Sequence, residues 1–281
     1  MSESEYKRIG GTNQNLPAMT SWSIPDYKNL TFIHCHKSGG TTVKMLLAQA
    51  KTQWNHNNNN NNTPAEIQNF KYSFGGGSSA QKQRNQEARI QHIQAMATHQ
   101  LHTTNTNAIV TFTVVRDPLE RFVSAVQQVM HYNTDFRTKC LKWTARATVQ
   151  CAIHEIQTTN YLRDVHLLPM VAHFRLWDDY PTARLAVLHL HDLPSLAAYL
   201  HHVVANNSNS NSTLLSTTMP HGRDRSKVDY ATSRVLANMS IKRHCTPEMI
   251  QQLCQLYSID VIFMQSLGYA SEYCHSHSHS P

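Results

Sequence analysis

LTFIHCHKSGGTTVKMLLAQA (residues 30–50) opens on an apolar run of Leu30, Phe32 and Ile33, breaks at HCHKSGGTT, and resumes with Val43, Leu46, Leu47 and Ala50 at helical spacing. A short apolar run before a turn marks a strand, and apolar residues at i, i+3 and i+4 mark one face of a helix. The stretch therefore reads as strand, loop, helix. A loop with two glycines at that junction lets successive backbone N–H groups converge on an anion, and the helix dipole adds positive potential there. Lys37 adds a cation, Gly39 and Gly40 allow close backbone approach, and the hydroxyls of Thr41 and Thr42 stand at the helix start as donors.

A second unit of the same kind lies downstream. AIVTFTVV (108–115) is β-branched and apolar without alternation, as expected of a parallel strand covered on both faces. It ends at Arg116-Asp117-Pro118, after which Leu119, Phe122, Val123, Val126, Val129 and Met130 recur at helical spacing. Two such units imply an α/β fold, a central parallel sheet flanked by helices. ARLAVLHL (183–190) reads as a further buried strand and PSLAAYLHHVV (194–204) as the helix after it. Helices are also expected over 81–97 and 147–165, and from Pro247, with Thr246 as its cap, before a short apolar segment.

The chain has 281 residues, against roughly 150 for a typical domain. One domain over 29–270 is expected, after an irregular lead-in (1–28) and before a disordered His/Ser tail (271–281). Flexible insertions are expected at about 55–80 and 205–220, where Asn, Gly and Ser runs offer too little apolar area to offset the entropy of ordering. The formal charge is +7, with 19 histidines besides, so an anionic partner is favoured. No stretch reaches the roughly 18 apolar residues of a membrane span. Six cysteines without a CxxC pair give no support for a zinc ribbon or a thioredoxin-type site, and leave any disulfides unassigned. Asn-x-Ser/Thr sequons begin at Asn29, Asn61, Asn206, Asn211 and Asn238.

The first loop departs from that of a nucleotide triphosphatase, in which the lysine follows the glycines and a magnesium-binding hydroxyl comes next, and this makes a phosphoryl transferase the second reading. Here Lys37 precedes them. FIHCHKSGGTT instead resembles the 5′-phosphosulfate loop of the Golgi carbohydrate sulfotransferases, close to FIHIPKTGGTT, and VTFTVVRDPLERFVSA resembles their 3′-phosphate segment. HLLPM (166–170) is similar to that family's His-x-x-Pro-Gln stretch, and LYSIDVIFMQSLGY to its closing Tyr-x-x-Asp pattern. His36, Ser38 and Met170 depart from the family's usual proline, threonine and glutamine, and its N-terminal membrane anchor does not appear.

The resemblance implies a P-loop-like sulfotransferase fold and transfer of a sulfuryl group from 3′-phosphoadenosine 5′-phosphosulfate (PAPS) to a carbohydrate hydroxyl, leaving 3′-phosphoadenosine 5′-phosphate (PAP). It places Lys37 at the departing phosphate oxygen, with Ser38, Gly39, Gly40, Thr41 and Thr42 on the 5′-phosphate and Arg116 and Ser124 on the 3′-phosphate. The base is expected to be a histidine, whose pKa suits the task, with His99 and His102 ahead of His166. Arg223 and Arg225, with Lys227, form a basic cluster able to close over the nucleotide. Arg121 is open to two uses, pairing with Asp117 or meeting the acceptor. Expected surroundings are the Golgi lumen, a glycan acceptor, no nucleic acid, no metal, and membrane attachment only through an anchor not seen here. The alternatives are a P-loop kinase-like phosphotransferase and a non-catalytic binder of anionic glycan or nucleotide.

Overall fold

The computed structural model describes residues 18–23, 30–57, 66–70, 91, 110–159, 164–173, 185–205, 235–236 and 239–274. The chain divides into two compact units interleaved along its length. Asn13–Val115 and His173–Pro220 form one, which holds the sheet; Met1–Thr12, Arg116–Ala172 and His221–Pro281 form the other, whose described elements are helical.

In the sheet unit the strands are β1 (Ala18–Ser23), β2 (Leu30–His34), β3 (Glu66–Phe70), β4 (Val110–Val115) and β5 (Leu185–His189), in the order β3-β1-β2-β4-β5. The three central and right-hand strands β2, β4 and β5 run parallel, in the registers Phe32↔Phe112 and Phe112↔Ala186. β1 pairs antiparallel with β2, and β3 antiparallel with β1. Helices α1 (Gly40–Asn57) and α5 (Leu193–Ala205) pack together over one face. Alternation sends Leu30, Phe32, Phe112 and Val114 to that face, where they meet Val43, Leu46, Leu47, Ala50 and Trp54 of α1 and Leu196, Leu200 and Val203 of α5. Thr31, Ile33, Thr111, Thr113 and Val115, alternating to the other face, are buried as well. That double burial is why β4 carries no charged residue and turns the β-branched Thr111, Thr113 and Val115 to its second face. Thr113 satisfies its hydroxyl by donating to the Ile33 carbonyl of the next strand at 3.0 Å.

The helical unit contains α2 (Pro118–Tyr132), α3 (Thr134–Cys140), α4 (Ala145–Thr159), α6 (Ile241–His244), α7 (Pro247–Leu256) and α8 (Ser258–Ser266). Asp117 caps α2 ahead of Pro118 and, as the sequence predicts, Thr246 caps α7 ahead of Pro247. Disulfides join Cys140 to Cys151 and Cys254 to Cys274. No described helix is long and apolar enough to cross a membrane.

Three expectations need correcting. The lead-in contains β1, because AMTSWS gains its order from the ladder to β2 and not from its own composition. The insertion at 55–80 holds the last turn of α1, to Asn57, and all of β3, which is paired to β1 over five residues. The tail is anchored as far as Cys274, by that disulfide and by Ser271 donating to Asp117. The helix expected over 81–97, apart from Gln91, and all five sequon asparagines lie outside the described residues.

Candidate active site

Parallel pairing brings the carboxyl ends of β2, β4 and β5, at His34, Val115 and His189, to one edge of the sheet. The loop 35–39 leaves from that edge into α1. Its backbone is unusual. Lys37 has φ 66°, the only positive φ among described non-glycine residues, and Gly39 has φ 83°. A left-handed lysine costs roughly 1–3 kcal/mol and persists only where its surroundings hold it, a state concentrated at ligand clamps and active sites. Ser38 closes the turn from within: it is buried, its N–H donates to the Cys35 carbonyl, and its hydroxyl donates to the Cys35 thiol at 3.5 Å.

α1 starts at Gly40, so the N–H groups of its first turn have no acceptor within the helix. Thr41 is exposed. Thr42 is 5% exposed, and its hydroxyl is buried without a hydrogen-bond partner among the described residues. A buried orphan hydroxyl is costly, and beside unsatisfied N–H groups at a helix N-terminus it suits the oxygen of a phosphate or sulfate.

The glycines have separate jobs. A Cβ on Gly40 would strike the imidazole of His34, so glycine is what lets that ring lie against the helix start. A Cβ on Gly39 would stand 2.6 Å from Leu190 Cδ1 and 3.4 Å from Leu193 Cδ1, in a conformation that already disfavours a side chain. Gly39→Ala is therefore expected to lower stability by about 2–3 kcal/mol. Gly268→Ala, at φ 81° with open space around it, should cost about 1 kcal/mol. Urea unfolding of the two variants checks the difference.

A feature the sequence reading missed is a run of imidazoles beside the loop. His34 and His36 lie with ring centroids 4.7 Å apart, and His36 and His173 5.5 Å apart. Two-residue spacing at a strand end was a signal for the first pair; His173 arrives from far along the chain and left none.

In the helical unit, Arg116 precedes α2 and its Nε donates to Glu120 at 3.0 Å. Asp117 accepts from the N–H groups of Leu119 and Glu120. Glu120 and Ser124, four residues apart, share one face of α2 and are partly exposed. Arg121 is 0% exposed, and one of its nitrogens donates to the His166 carbonyl. One end of its guanidinium is thus engaged inside the fold.

HLLPM is likewise a docking point within the fold. Tyr257 donates to the Leu167 carbonyl at 2.8 Å, and the buried Asp260 carboxylate accepts from the N–H groups of Met170 and Val171 at 2.7 and 3.0 Å. Burial pushes the Asp260 carboxyl up to about 6, against the pull of the Arg121 charge and the two N–H groups. The contact at 170 is made by backbone, so methionine in place of glutamine leaves it intact.

His166 itself faces a carboxylate. Its Nδ1 is 2.5 Å from Asp164 Oδ1, and Tyr132 donates its hydroxyl to Asp164 Oδ2. Burial works against the Asp164 charge, but the hydrogen bond and charge of His166, helped by Tyr132, outweigh it and hold this carboxyl below its ordinary range. A carboxylate on Nδ1 fixes the orientation of an imidazole. His99, His102, Arg223, Arg225 and Lys227 lie outside the described residues.

A strand-loop-helix with close-packed glycines on the carboxyl edge of a parallel sheet is a recurrent setting for phosphate groups. A model of the sulfotransferase family matches residues 21–180, more than half of the chain, including both loop segments and HLLPM. The chain belongs to that family and is a transferase of sulfuryl groups. No match was found among curated proteins or solved structures.

Proposed function

We propose that the protein transfers the sulfuryl group of PAPS to a hydroxyl of a carbohydrate acceptor. The observation that carries this reading is the loop 35–42, with a left-handed Lys37 and an orphan Thr42 hydroxyl at an N–H-rich helix start. The 5′-phosphosulfate falls to Lys37, to the backbone of Gly39 and Gly40 and to Thr41 and Thr42, and the 3′-phosphate to Arg116 and Ser124. Ser38 takes part through the shape of the turn. In the transfer the bond from sulfur to the bridging phosphate oxygen breaks, sulfur bonds to the acceptor oxygen, and the acceptor proton passes to a base, His99 or His102. Lys37 meets the negative charge that collects on the departing oxygen, where a placed cation is worth most.

The two disulfides support an oxidising compartment, in keeping with a Golgi-lumen setting. The test is calorimetric titration with PAP in the absence of magnesium, followed by transfer of labelled sulfate from PAPS to a panel of desulfated polysaccharides. Micromolar PAP binding and a labelled glycan are expected. A preference for Mg-ATP would point to phosphoryl transfer, and PAP binding without turnover on any glycan to a non-catalytic binder.

A further inference from the structure

The donor loop carries more imidazole than a phosphate turn needs. His34 ends β2, His36 follows two residues on in the loop, and His173 closes the short turn Met170–His173, where it is 2% exposed. Their rings form a continuous run, tilted by 32° between His34 and His36 and by 48° between His36 and His173. All three belong to the sheet unit, as does the loop itself. The run reaches the start of α1, since a Cβ on Gly40 would strike the His34 ring. Position 36 is proline in the loops this one resembles, so the middle ring is a feature of this chain's own sequence.

A metal draws its ligand atoms to one point, and among the described residues no group of three or more His, Cys, Asp or Glu is arranged to do so. The chemistry left to the run is that of a proton. Neighbouring rings charged together repel strongly at these separations, which favours a single proton over the three. The other charged or titratable groups on the described elements that meet there are few. The loop itself has Lys37 and the buried Cys35 thiol; α1 has Lys44; the end of β5 and the turn after it have His189, His191 and Asp192. α5 begins apolar and carries His201 and His202 only at its far end. Asp192, the one carboxylate in this set, already accepts from the His189 N–H at 2.8 Å. Two lysines against one engaged carboxylate oppose a further positive charge, and an anion held at the loop reverses that balance.

We propose that the His34–His36–His173 run is a second, conditional cation of the donor loop: it takes one proton from solvent when the phosphate end of the nucleotide binds, and donor affinity rises as the pH falls through the range where imidazoles charge. Lys37 is the permanent charge of the loop, and the run answers the anion only when it is present. The sign follows from linkage. The complex holds more protons than the protein alone, so affinity is gained on acidification and lost as the pH rises, by at most about tenfold per pH unit for one proton. The inference rests on the donor reading above and adds a regulation of that same site.

The experiment is calorimetric titration of the full chain with PAP between about pH 6 and pH 8, each point in two buffers of different ionisation heat, so that protons taken up per PAP are counted. His36→Gln interrupts the run at its middle ring without adding charge, and His36→Lys keeps a cation there at every pH. His202→Gln is the control, an exposed imidazole about 14 Å along α5 from Leu193 by helical rise. The phosphates of PAP titrate alike against every form, so comparison between forms isolates the protein's share. The Kd of His36→Gln is expected to exceed that of the unaltered protein about tenfold at pH 6 and less than about twofold at pH 8, with proton uptake cut by about half or more. His36→Lys should bind more tightly than the unaltered protein at pH 8 and differ little from it at pH 6, and His202→Gln should match the unaltered protein throughout. Melting temperatures at pH 8 check the fold, and His173→Gln repeats the test from the buried end of the run should His36→Gln fail to fold. A His36→Gln affinity lowered by the same factor at every pH, or proton uptake equal to that of the unaltered protein, overturns the inference and leaves the rings a packing role. PAP binding absent at every pH overturns the donor reading itself, which keeps the two failures apart.

Discussion

Lys37→Ala is expected to lower sulfuryl transfer by about 10²–10³-fold, the size of effect seen when one charge-stabilising donor is removed from a reacting centre. Its backbone already occupies the left-handed region, φ 66°, and alanine meets the same restriction there as lysine, so thermal stability should barely move. Lys37→Gly separates the two contributions. Glycine accepts this conformation freely and should raise stability by about 1 kcal/mol while losing as much activity as alanine. A lysine that merely occupies a turn would give the opposite pattern, with activity retained in both variants. Steady-state kinetics with PAPS, paired with urea unfolding, distinguishes them; PAP affinity should fall far less than turnover, since the cation acts on charge that develops during transfer.

Asp260→Ala has the largest expected effect on stability. The carboxylate is fully buried, faces the buried Arg121 charge, and accepts from Met170 and Val171. Truncation leaves a buried guanidinium uncompensated and two N–H groups without an acceptor, a loss of about 3–5 kcal/mol. Asp260→Asn keeps the volume and one acceptor, and should lose much less. The pH dependence carries a second signature. The folded carboxyl is pushed up to about 6, above its ordinary 3.8, so folding takes up a proton between those values. The contribution of this group is fully present below about pH 4, falls as the pH rises to about 6, and is constant beyond. Urea midpoints across that range should show the slope in the unaltered protein and lack it in Asp260→Asn.

Where neighbouring residues alone determine an element, the sequence shows it. The β2-loop-α1 and β4-α2 units follow from apolar runs, a Gly-Gly break and a proline at the helix start, all within a few residues. β1 and β3 were hidden because AMTSWS and EIQNF are short and half or more polar, and become strands through partners elsewhere in the chain. At the donor loop the residue types were legible, yet the inward turn of Ser38 and the stacking of His36 with His173 were not, since both depend on what folds against them. The match between HLLPM and the closing helix was visible as two separate resemblances. That one grips the other was not, because the gripping groups on the 166–171 side are backbone.

The bond from Ser271 to Asp117 spans 154 residues of sequence, and the same carboxylate holds the first turn of α2, next to Arg116. A protease cut or an engineered shortening before Ser271 would thus be felt at the opposite end of the chain's logic, loosening the helix start that presents Arg116 while leaving every residue around it unchanged. The Cys254–Cys274 disulfide, three residues beyond, ties the same segment down a second time, so reduction would leave that helix start held by the Ser271 bond with one tether fewer.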